Sequence, residues 1–215
     1  YIISQLMEGK NVALVSDAGS PGISDPGEDL VKLAIEASVT VTMIPGPVAA
    51  VTGLVISGLS TGRFLFEGFL PVNKRLRKEK ILALKDETRT IVFYEAPHKL
   101  YYTLKDLYEI LGDRKVALAR ELTKKFEQVI GCKLSEAVEK YSNETPKGEF
   151  VLILEGADEK GLIEQDREKW STVSIKDHVQ SYIDRGMDKK EAIKKAAEDR
   201  GVSKRDVYNS LLKNE

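Results

Sequence analysis

The chain alternates short apolar runs with segments in which apolar residues recur every three or four positions, a pattern typical of an α/β protein. The segments 30–35, 48–59, 97–111 and 135–141 carry the helical spacing. The apolar runs predict strands at 12–15, 39–44, 64–69, 90–94, 116–119 and 150–154.

Gly/Pro-rich loops follow the first two predicted strands. The first runs from Ser16 to Gly27, and the second is Pro45-Gly46-Pro47, with a proline well placed for the first turn of the next helix. Ligands of open α/β sheets bind outside the carboxyl ends of the strands. Two such loops at one sheet edge therefore predict a single cleft, the alternative being two unrelated turns.

The chemistry of the first loop argues against a phosphate site. It matches neither G-x-G-x-x-G nor G-x-x-x-x-G-K-[ST], and its charged side chains are the carboxylates of Asp17 and Asp25. A carboxylate suits ribose hydroxyls or a cationic cofactor better than it suits a pyrophosphate. The loop therefore indicates a ligand such as a sulfonium nucleoside.

A run of basic residues follows the predicted strand at 64–69. Cations at a helix N-terminus oppose the helix dipole, so their placement here suggests a purpose other than helix stability. Contact with a phosphate backbone is the natural one, and a solvated helix face is the alternative. The candidate nucleic-acid-binding residues in this run are Lys74, Arg75, Arg77 and Lys78.

Composition narrows the class of protein. Hydrophobic residues make up 42% and charged residues 31% of the 215, the net charge is −1, and no apolar run approaches the ~20 residues of a membrane span. One cysteine, Cys132, excludes an internal disulfide and is expected in the core. The two histidines, His98 and His178, lie far apart in sequence, so no metal site is predicted.

The tail predicts a separate helical unit. Ser174 and Ser203 each precede an aspartate by three positions, which matches the capping box, and Asp188 is placed to cap a helix ending at Gly201. The short turn after that helix resembles a helix-turn-helix, which would place Lys204 and Arg205 at the start of a nucleic-acid-binding recognition helix. The alternative is a helical appendage that aids folding or dimerisation. The expected boundaries are 1–62 and 63–157 for two α/β domains, 158–170 for a linker, and 171–215 for the helical domain.

Five motifs in this order resemble the tetrapyrrole methylase superfamily. They read V-S-D-A-G-S-P-G-I-S-D-P-G, I-P-G-P-V-A-A, G-R-F-L-F-E-G-F-L-P, F-Y-E-A-P-H and A-R-E-L-T-K. Within the superfamily they are most similar to bacterial enzymes that methylate a ribose 2′-oxygen of a cytidine in 16S rRNA. The resemblance implies S-adenosylmethionine as methyl donor, a cleft between two α/β domains, a homodimer and a cytoplasmic location. It also implies a preceding segment, because family members open with a strand, a P-I-G-N-type loop and an E-D-T-R-type segment. This sequence begins at Tyr1, within a predicted helix, and contains none of them.

The resemblance also implies which residues bind the cofactor. Tyr94 and Leu122 lie at strand ends and could instead be core residues. No catalytic residue is assigned, although a neutral His98 on the first turn of a helix could accept a proton from a ribose hydroxyl. The candidate cofactor-binding residues are Ser16, Asp17, Ala18, Ser20, Pro45, Gly46, Val48, Ala49, Tyr94 and Leu122.

Two other functions fit parts of the sequence. The same fold and cofactor could serve a small tetrapyrrole substrate, although such an enzyme has no use for the basic run or the helical tail. A non-catalytic RNA-binding module would show RNA affinity with a steep salt dependence and no affinity for the cofactor.

Overall fold

The computed structural model describes residues 1–212, and a five-stranded mixed sheet organises the first part of the chain. The order across the sheet is β1-β2-β5-β3-β4. Strands β1 and β2 are parallel, whereas β5 runs antiparallel to β2 and β3, and β4 runs antiparallel to β3. The strands are β1 (Phe64–Phe69), β2 (Thr90–Glu95), β3 (Lys115–Arg120), β4 (Gln128–Lys133) and β5 (Phe150–Leu154).

Helices cover both faces of this sheet. On one face the apolar side chains of α4, α5 and α6 pack against Ile91, Phe93 and neighbouring strand residues. On the other face α3 packs against Val92 and Ile153, because successive strand residues point to opposite sides. The helices are α1 (Ile2–Met7), α2 (Glu28–Glu36), α3 (Ala49–Ile56), α4 (Lys74–Ala83), α5 (Pro97–Leu111) and α6 (Leu134–Asn143). The predicted mixture of strands and helices is confirmed.

The prediction of strands at 12–15 and 39–44 is wrong. Neither segment forms a strand in the structure, and their apolar side chains are largely exposed: Val15 is 81% exposed and Ile44 is 88% exposed. A strand exists through hydrogen bonds to a neighbouring strand, and no segment within residues 1–212 forms a ladder with either. An apolar run indicates that a segment could be buried in a sheet, but it does not indicate whether a partner strand is present.

Strand β4 is absent from the sequence-based prediction. It pairs with β3 at one edge of the sheet, and most of its residues are exposed. A glycine, Gly131, lies in its middle, where it weakens the strand pattern. An exposed edge strand with polar ends does not produce the continuous apolar run that marks β5.

Residues 1–156 form one compact unit, and its expected division into two α/β domains near residue 62 stays a prediction. Helix α3 joins the two expected halves. A Cβ added to Gly53 would lie 3.2 Å from Val151 and 3.3 Å from Ile153 of β5, so glycine permits close packing of this helix on the sheet.

The second compact unit begins at Ala157 and is helical as far as the structure describes it. Its helices are α7 (Glu159–Ser171), α8 (Ile175–Ile183), α9 (Lys189–Arg200) and α10 (Lys204–Leu212). The predicted linker at 158–170 is therefore wrong. Its polar composition is that of a charged helix, and the Asp158 side chain caps it by accepting the N–H of Lys160.

The caps predicted in this unit are confirmed. Asp177 and Asp206 each donate a backbone N–H to the serine hydroxyl three residues earlier, at 3.1 Å. Asp188 accepts two backbone N–H groups of α9, and Gly201 ends that helix with φ = 63°. The last residues of the expected helical domain, 213–215, lie outside the described part.

Candidate functional site

The two Gly/Pro-rich loops meet in the structure. The backbone N–H of Ser20 donates to the carbonyl of Pro47 at 3.0 Å. A Cβ at Gly19, where φ is 76°, would lie 2.8 Å from the same carbonyl oxygen, so the approach requires glycine. This contact brings the two loops together, and their forming a single cleft stays a prediction.

The first loop offers polar atoms in a partly buried setting. The Ser20 hydroxyl is buried and has no hydrogen-bond partner within the described residues, which is unusual for a buried polar atom. Ser16 donates its hydroxyl to the Gly19 carbonyl at 3.2 Å, while Asp17 and Ala18 are exposed. A polar ligand that reached Ser20 would satisfy its hydroxyl, so the chemistry of the loop fits the predicted cofactor.

Tyr94, at the end of β2, contacts the start of α3. Its hydroxyl accepts the backbone N–H of Ala50 at 3.0 Å, and the rings of Phe66 and Phe69 meet it edge-on, with centroids 5.0 and 5.6 Å away. Burial raises the pKa of the Tyr94 hydroxyl, and the charge of Asp25 raises it further. The hydroxyl therefore keeps its proton at neutral pH and can donate it to a ligand.

Phe66, Phe69 and Asp25 are absent from the sequence-derived set of site residues. The sequence does point to the two phenylalanines, because both lie in the family motif that contains β1. Their meeting at Tyr94 depends on the shift in strand register between Phe66 and Gly68, which the sequence does not reveal.

Leu122 and Val48 pack against the same apolar cluster as Tyr94, which includes Ala50 and Val151. This places Tyr94 and Leu122, the candidates from the expected second α/β domain, beside the second loop. The remaining predicted cofactor residues in and directly after that loop are exposed; they are Pro45, Gly46 and Ala49.

The titratable groups at the ends of β2 and β3 and at the start of α5 differ in their surroundings. His98 is exposed on the first turn of α5, whereas Glu95 is buried and accepts the N–H of Ala96 and the hydroxyl of Thr103 at 2.9 and 2.5 Å. These bonds fasten the end of β2 to the start of α5. Arg120 has a buried Nε atom with no partner in the described chain.

The basic run on α4 is mostly engaged within the protein. Arg77 is buried and donates to Asp106 of α5 through Nε at 2.8 Å, with a second nitrogen at 2.7 Å. Lys78 pairs with Asp106 and Glu109 at 3.3 and 2.9 Å, and its hydrogen bond to Glu109 raises its pKa. These two cations connect α4 to α5, which explains their unfavourable position near a helix N-terminus.

The remaining cations of this run are more accessible. Arg75 forms an exposed pair with Glu79 at 3.5 Å, and no ion pair forms at Lys74 within residues 1–212. In the helical unit, Lys204 and Arg205 are exposed at the start of α10 and likewise pair with no carboxylate of the described chain. Of the predicted RNA-binding residues, the structure thus removes only Arg77 from the surface.

Residues 1–212 contain neither a candidate metal site nor a membrane-spanning helix. No group of three or more His, Cys, Asp or Glu side chains is arranged to hold a metal ion. No helix in this range is long and apolar enough to cross a membrane.

Comparison with protein families identifies the class to which this fold and loop arrangement belong. Residues 1–138 match the model of the Tetrapyrrole (Corrin/Porphyrin) Methylases. Solved structures agree at the level of fold. The chain resembles the methyltransferase CobJ (TM-score 0.56, 18% identity, 72% of this chain and 68% of that one). It also resembles the cobalt precorrin-4 methyltransferase CbiF (TM-score 0.50, 17% identity, 71% and 67%).

Sequence relatives are more specific. A protein of Halalkalibacterium halodurans named Ribosomal RNA small subunit methyltransferase I is 49% identical over 97% of this chain and 71% of its own length. The protein of the same name in Bacillus subtilis is 46% identical over 97% and 71%. The chain therefore belongs to the tetrapyrrole methylase family and, within it, to the ribosomal RNA small subunit methyltransferase I group.

Proposed function

We propose that the protein transfers a methyl group from S-adenosylmethionine to the ribose 2′-oxygen of a cytidine in 16S rRNA of the small ribosomal subunit. The observation that carries this proposal is the similarity along nearly the whole chain to proteins named Ribosomal RNA small subunit methyltransferase I. The contact between the two loops beside Tyr94 supports it, because a methyltransferase needs a shaped site for its donor.

The loops and the strand ends beside them provide the groups that would hold the donor. When bound, S-adenosylmethionine supplies a methyl group activated by a sulfonium charge. The exposed carboxylate of Asp17 can accept from ribose hydroxyls or the methionine ammonium, and the buried Ser20 hydroxyl and the Tyr94 hydroxyl can each donate. The proposed binding set is Ser16, Asp17, Ala18, Ser20, Pro45, Gly46, Val48, Ala49, Tyr94 and Leu122.

Alignment of donor and acceptor is the main requirement of an in-line methyl transfer, so no general base is assigned. His98 is the residue to test, because it is exposed at a helix start near the end of β2. Unchanged turnover of His98→Ala on ribosomal subunits would remove it from consideration.

The accessible cations are the proposed RNA contacts: Lys74, Arg75 and, on its open side, Lys78, together with Lys204 and Arg205 in the helical unit. Arg77 is left out because its guanidinium is committed to Asp106. A homodimer and a cytoplasmic location belong to the same proposal, since they follow from the family resemblance and from a ribosomal substrate.

Tritiated methyl transfer to small subunits that lack the modification tests the proposal directly. We expect label in 16S rRNA, recovered on a ribose after nuclease digestion. Label on a base would contradict the ribose assignment. Cofactor binding without labelled RNA would favour a different acceptor, with uroporphyrinogen-type tetrapyrroles as the first to assay. Asp29→Ala, which changes an exposed carboxylate on α2 outside the two loops, is a matched control for substitutions in the site.

A further inference from the structure

The loop of residues 121–127 leaves the sheet at the same edge as Tyr94. Glu95 of β2 and Arg120 of β3 pair with the two sides of one residue, Phe150 of β5. The carboxyl ends of β2 and β3 therefore lie level with each other. The 121–127 loop begins directly after Arg120, beside the proposed cofactor site.

The base of this loop is fixed. Leu122 packs inward against the cluster that also contacts Tyr94, and the Glu121 carboxylate accepts the backbone N–H of Glu149 at 3.1 Å. Lys124 links these two glutamates, at 3.3 and 3.1 Å. Glu121 and Thr123 have φ of 50° and 64°, a conformation that residues other than glycine rarely adopt. The fold thus holds the loop in a specific shape.

The tip of the loop presents an aromatic ring to solvent. Phe126 is 63% exposed, and the Lys125 ammonium lies 5.7 Å from the centre of its ring. Lys125 itself is exposed and pairs with no carboxylate within the described part of the chain. Single-stranded RNA binds to surfaces that offer a flat ring for a base and a positive charge for a phosphate. Phe126 and Lys125 provide these two groups side by side.

We propose that Phe126 stacks on an unpaired base of the RNA substrate next to the target nucleotide, while Lys125 contacts the adjoining phosphate. The inference rests on the proposed function, because it assigns the RNA contact of the same site. On this proposal the base is unpaired, because stacking on an aromatic side chain requires a base that has left its helix. A stacking surface beside the cleft replaces the base stacking that this nucleotide and its neighbour lose.

The experiment compares variants of one exposed ring in the whole protein. The half-saturating concentration of unmodified small subunits is measured for the unchanged protein, Phe126→Ala, Phe126→Leu and Phe126→Trp, with S-adenosylmethionine affinity measured separately by calorimetry. Tyr108→Ala is the control, because Tyr108 is also an exposed aromatic residue but lies on α5. Loss of one stacked base is expected to raise the half-saturating concentration about 10-fold or more in Phe126→Ala.

The affinities of the variants for small subunits and for S-adenosylmethionine, taken together, test the inference. Tryptophan should preserve the affinity for subunits, leucine should behave like alanine, and the affinity for S-adenosylmethionine should remain unchanged in all of them. Lys125→Gln should weaken subunit binding and reduce its salt dependence. Equal half-saturation in Phe126→Ala and the unchanged protein would overturn the inference, as would full function with leucine. A change of oligomeric state in Phe126→Ala would assign the ring to an interface with a second copy and overturn it too. Failure of the unchanged protein to methylate or bind subunits would instead contradict the proposed function and this inference together.

Discussion

Arg77 and Asp106 form a buried ion pair that fastens α4 to α5, with nitrogen–oxygen distances of 2.8 and 2.7 Å. Their side chains are 11% and 6% exposed, so neither charge is well hydrated. The basic run on α4 therefore divides into two parts. Arg77 is buried and stabilises the fold, whereas the exposed cations of the run are available to a ligand.

Asp106→Ala is therefore expected to destabilise the protein by about 3–5 kcal/mol, because it leaves the Arg77 guanidinium buried without its partner. Denaturant unfolding measures this change. Glu79→Ala removes the partner of the exposed Arg75 and should cost less than about 1 kcal/mol. Similar losses for the two variants would contradict the assignment.

Gly19→Ala should disturb the contact between the two loops. Gly22→Ala is the matched control, because both glycines have positive φ, 76° and 79°, but only a Cβ at Gly19 would meet another atom, the Pro47 carbonyl oxygen at 2.8 Å. Both variants should lose roughly 1–2 kcal/mol of stability from backbone strain. Only Gly19→Ala should also weaken S-adenosylmethionine binding, by about 10-fold or more, equivalent to about 1.4 kcal/mol. Calorimetry on both variants would show whether the clash or the strain is responsible.

Asp17→Ala is expected to weaken S-adenosylmethionine binding by about 1–3 kcal/mol, the cost of one lost hydrogen bond to a charged group. Stability should change little because the Asp17 side chain is exposed. The dissociation constant is measured by calorimetry, with Asp29→Ala as control. An unchanged constant would remove Asp17 from the proposed binding set.

Lys204→Ala and Arg205→Ala test the helical unit as an RNA-binding element. Each should reduce the slope of log affinity against log salt by about 1, because one phosphate contact releases about one counterion. Lys194→Ala is the comparison, since Lys194 already faces Glu198 on the same helix at 3.8 Å. Filter binding of small subunits across a salt series gives the slopes. Equal slopes in all three variants would favour a structural role for these helices.

Acidification should destabilise the helical unit through His178. This histidine is fully buried, its Nδ1 accepts from Arg200 at 3.0 Å, and burial, followed by the charge of Arg200, lowers its pKa. The unfolded chain therefore binds a proton near pH 6.5 while the folded chain does not, so stability is complete above about 6.5 and falls as the pH decreases below it.

Trp170 makes this pH effect measurable. It is the only tryptophan of the chain, and its ring stacks on His178 with centroids 3.6 Å apart. Thermal unfolding followed by tryptophan fluorescence should give a lower midpoint at pH 5.5 than at pH 7.5. His98→Ala, which removes the exposed second histidine, should leave that difference intact. A midpoint that is independent of pH in this range would refute the role of His178.

The sequence predicted best where a single local signal determines an element. Pro97 and Gly112 mark the two ends of α5, and five consecutive buried apolar residues mark β5, so both elements have the predicted bounds. Residues 12–15 carry the same kind of apolar signal but form no strand, because strand formation depends on a partner elsewhere in the chain.

The sequence predicted the two loops of the candidate site better than it predicted the aromatic side chains around Tyr94. The Gly/Pro pattern located the two loops, but the meeting of Phe66, Phe69 and Tyr94 depends on tertiary packing and on a register shift in β1. Charge alone was misleading for Arg77. The sequence does not distinguish a cation that binds a phosphate from one that binds a buried aspartate. The partner of Arg77 is Asp106, which lies 29 residues later in the chain.

The position of β5 determines when this protein can fold during its own synthesis. Strands β2 and β3 are made early, yet they do not pair with each other, and β5 fills the space between them. Without Phe150–Leu154 the edges of β2 and β3 that face each other would have no strand to pair with. We therefore expect completion of the sheet to wait for this one late pentapeptide, and a stall in translation before residue 150 to leave a species prone to aggregation.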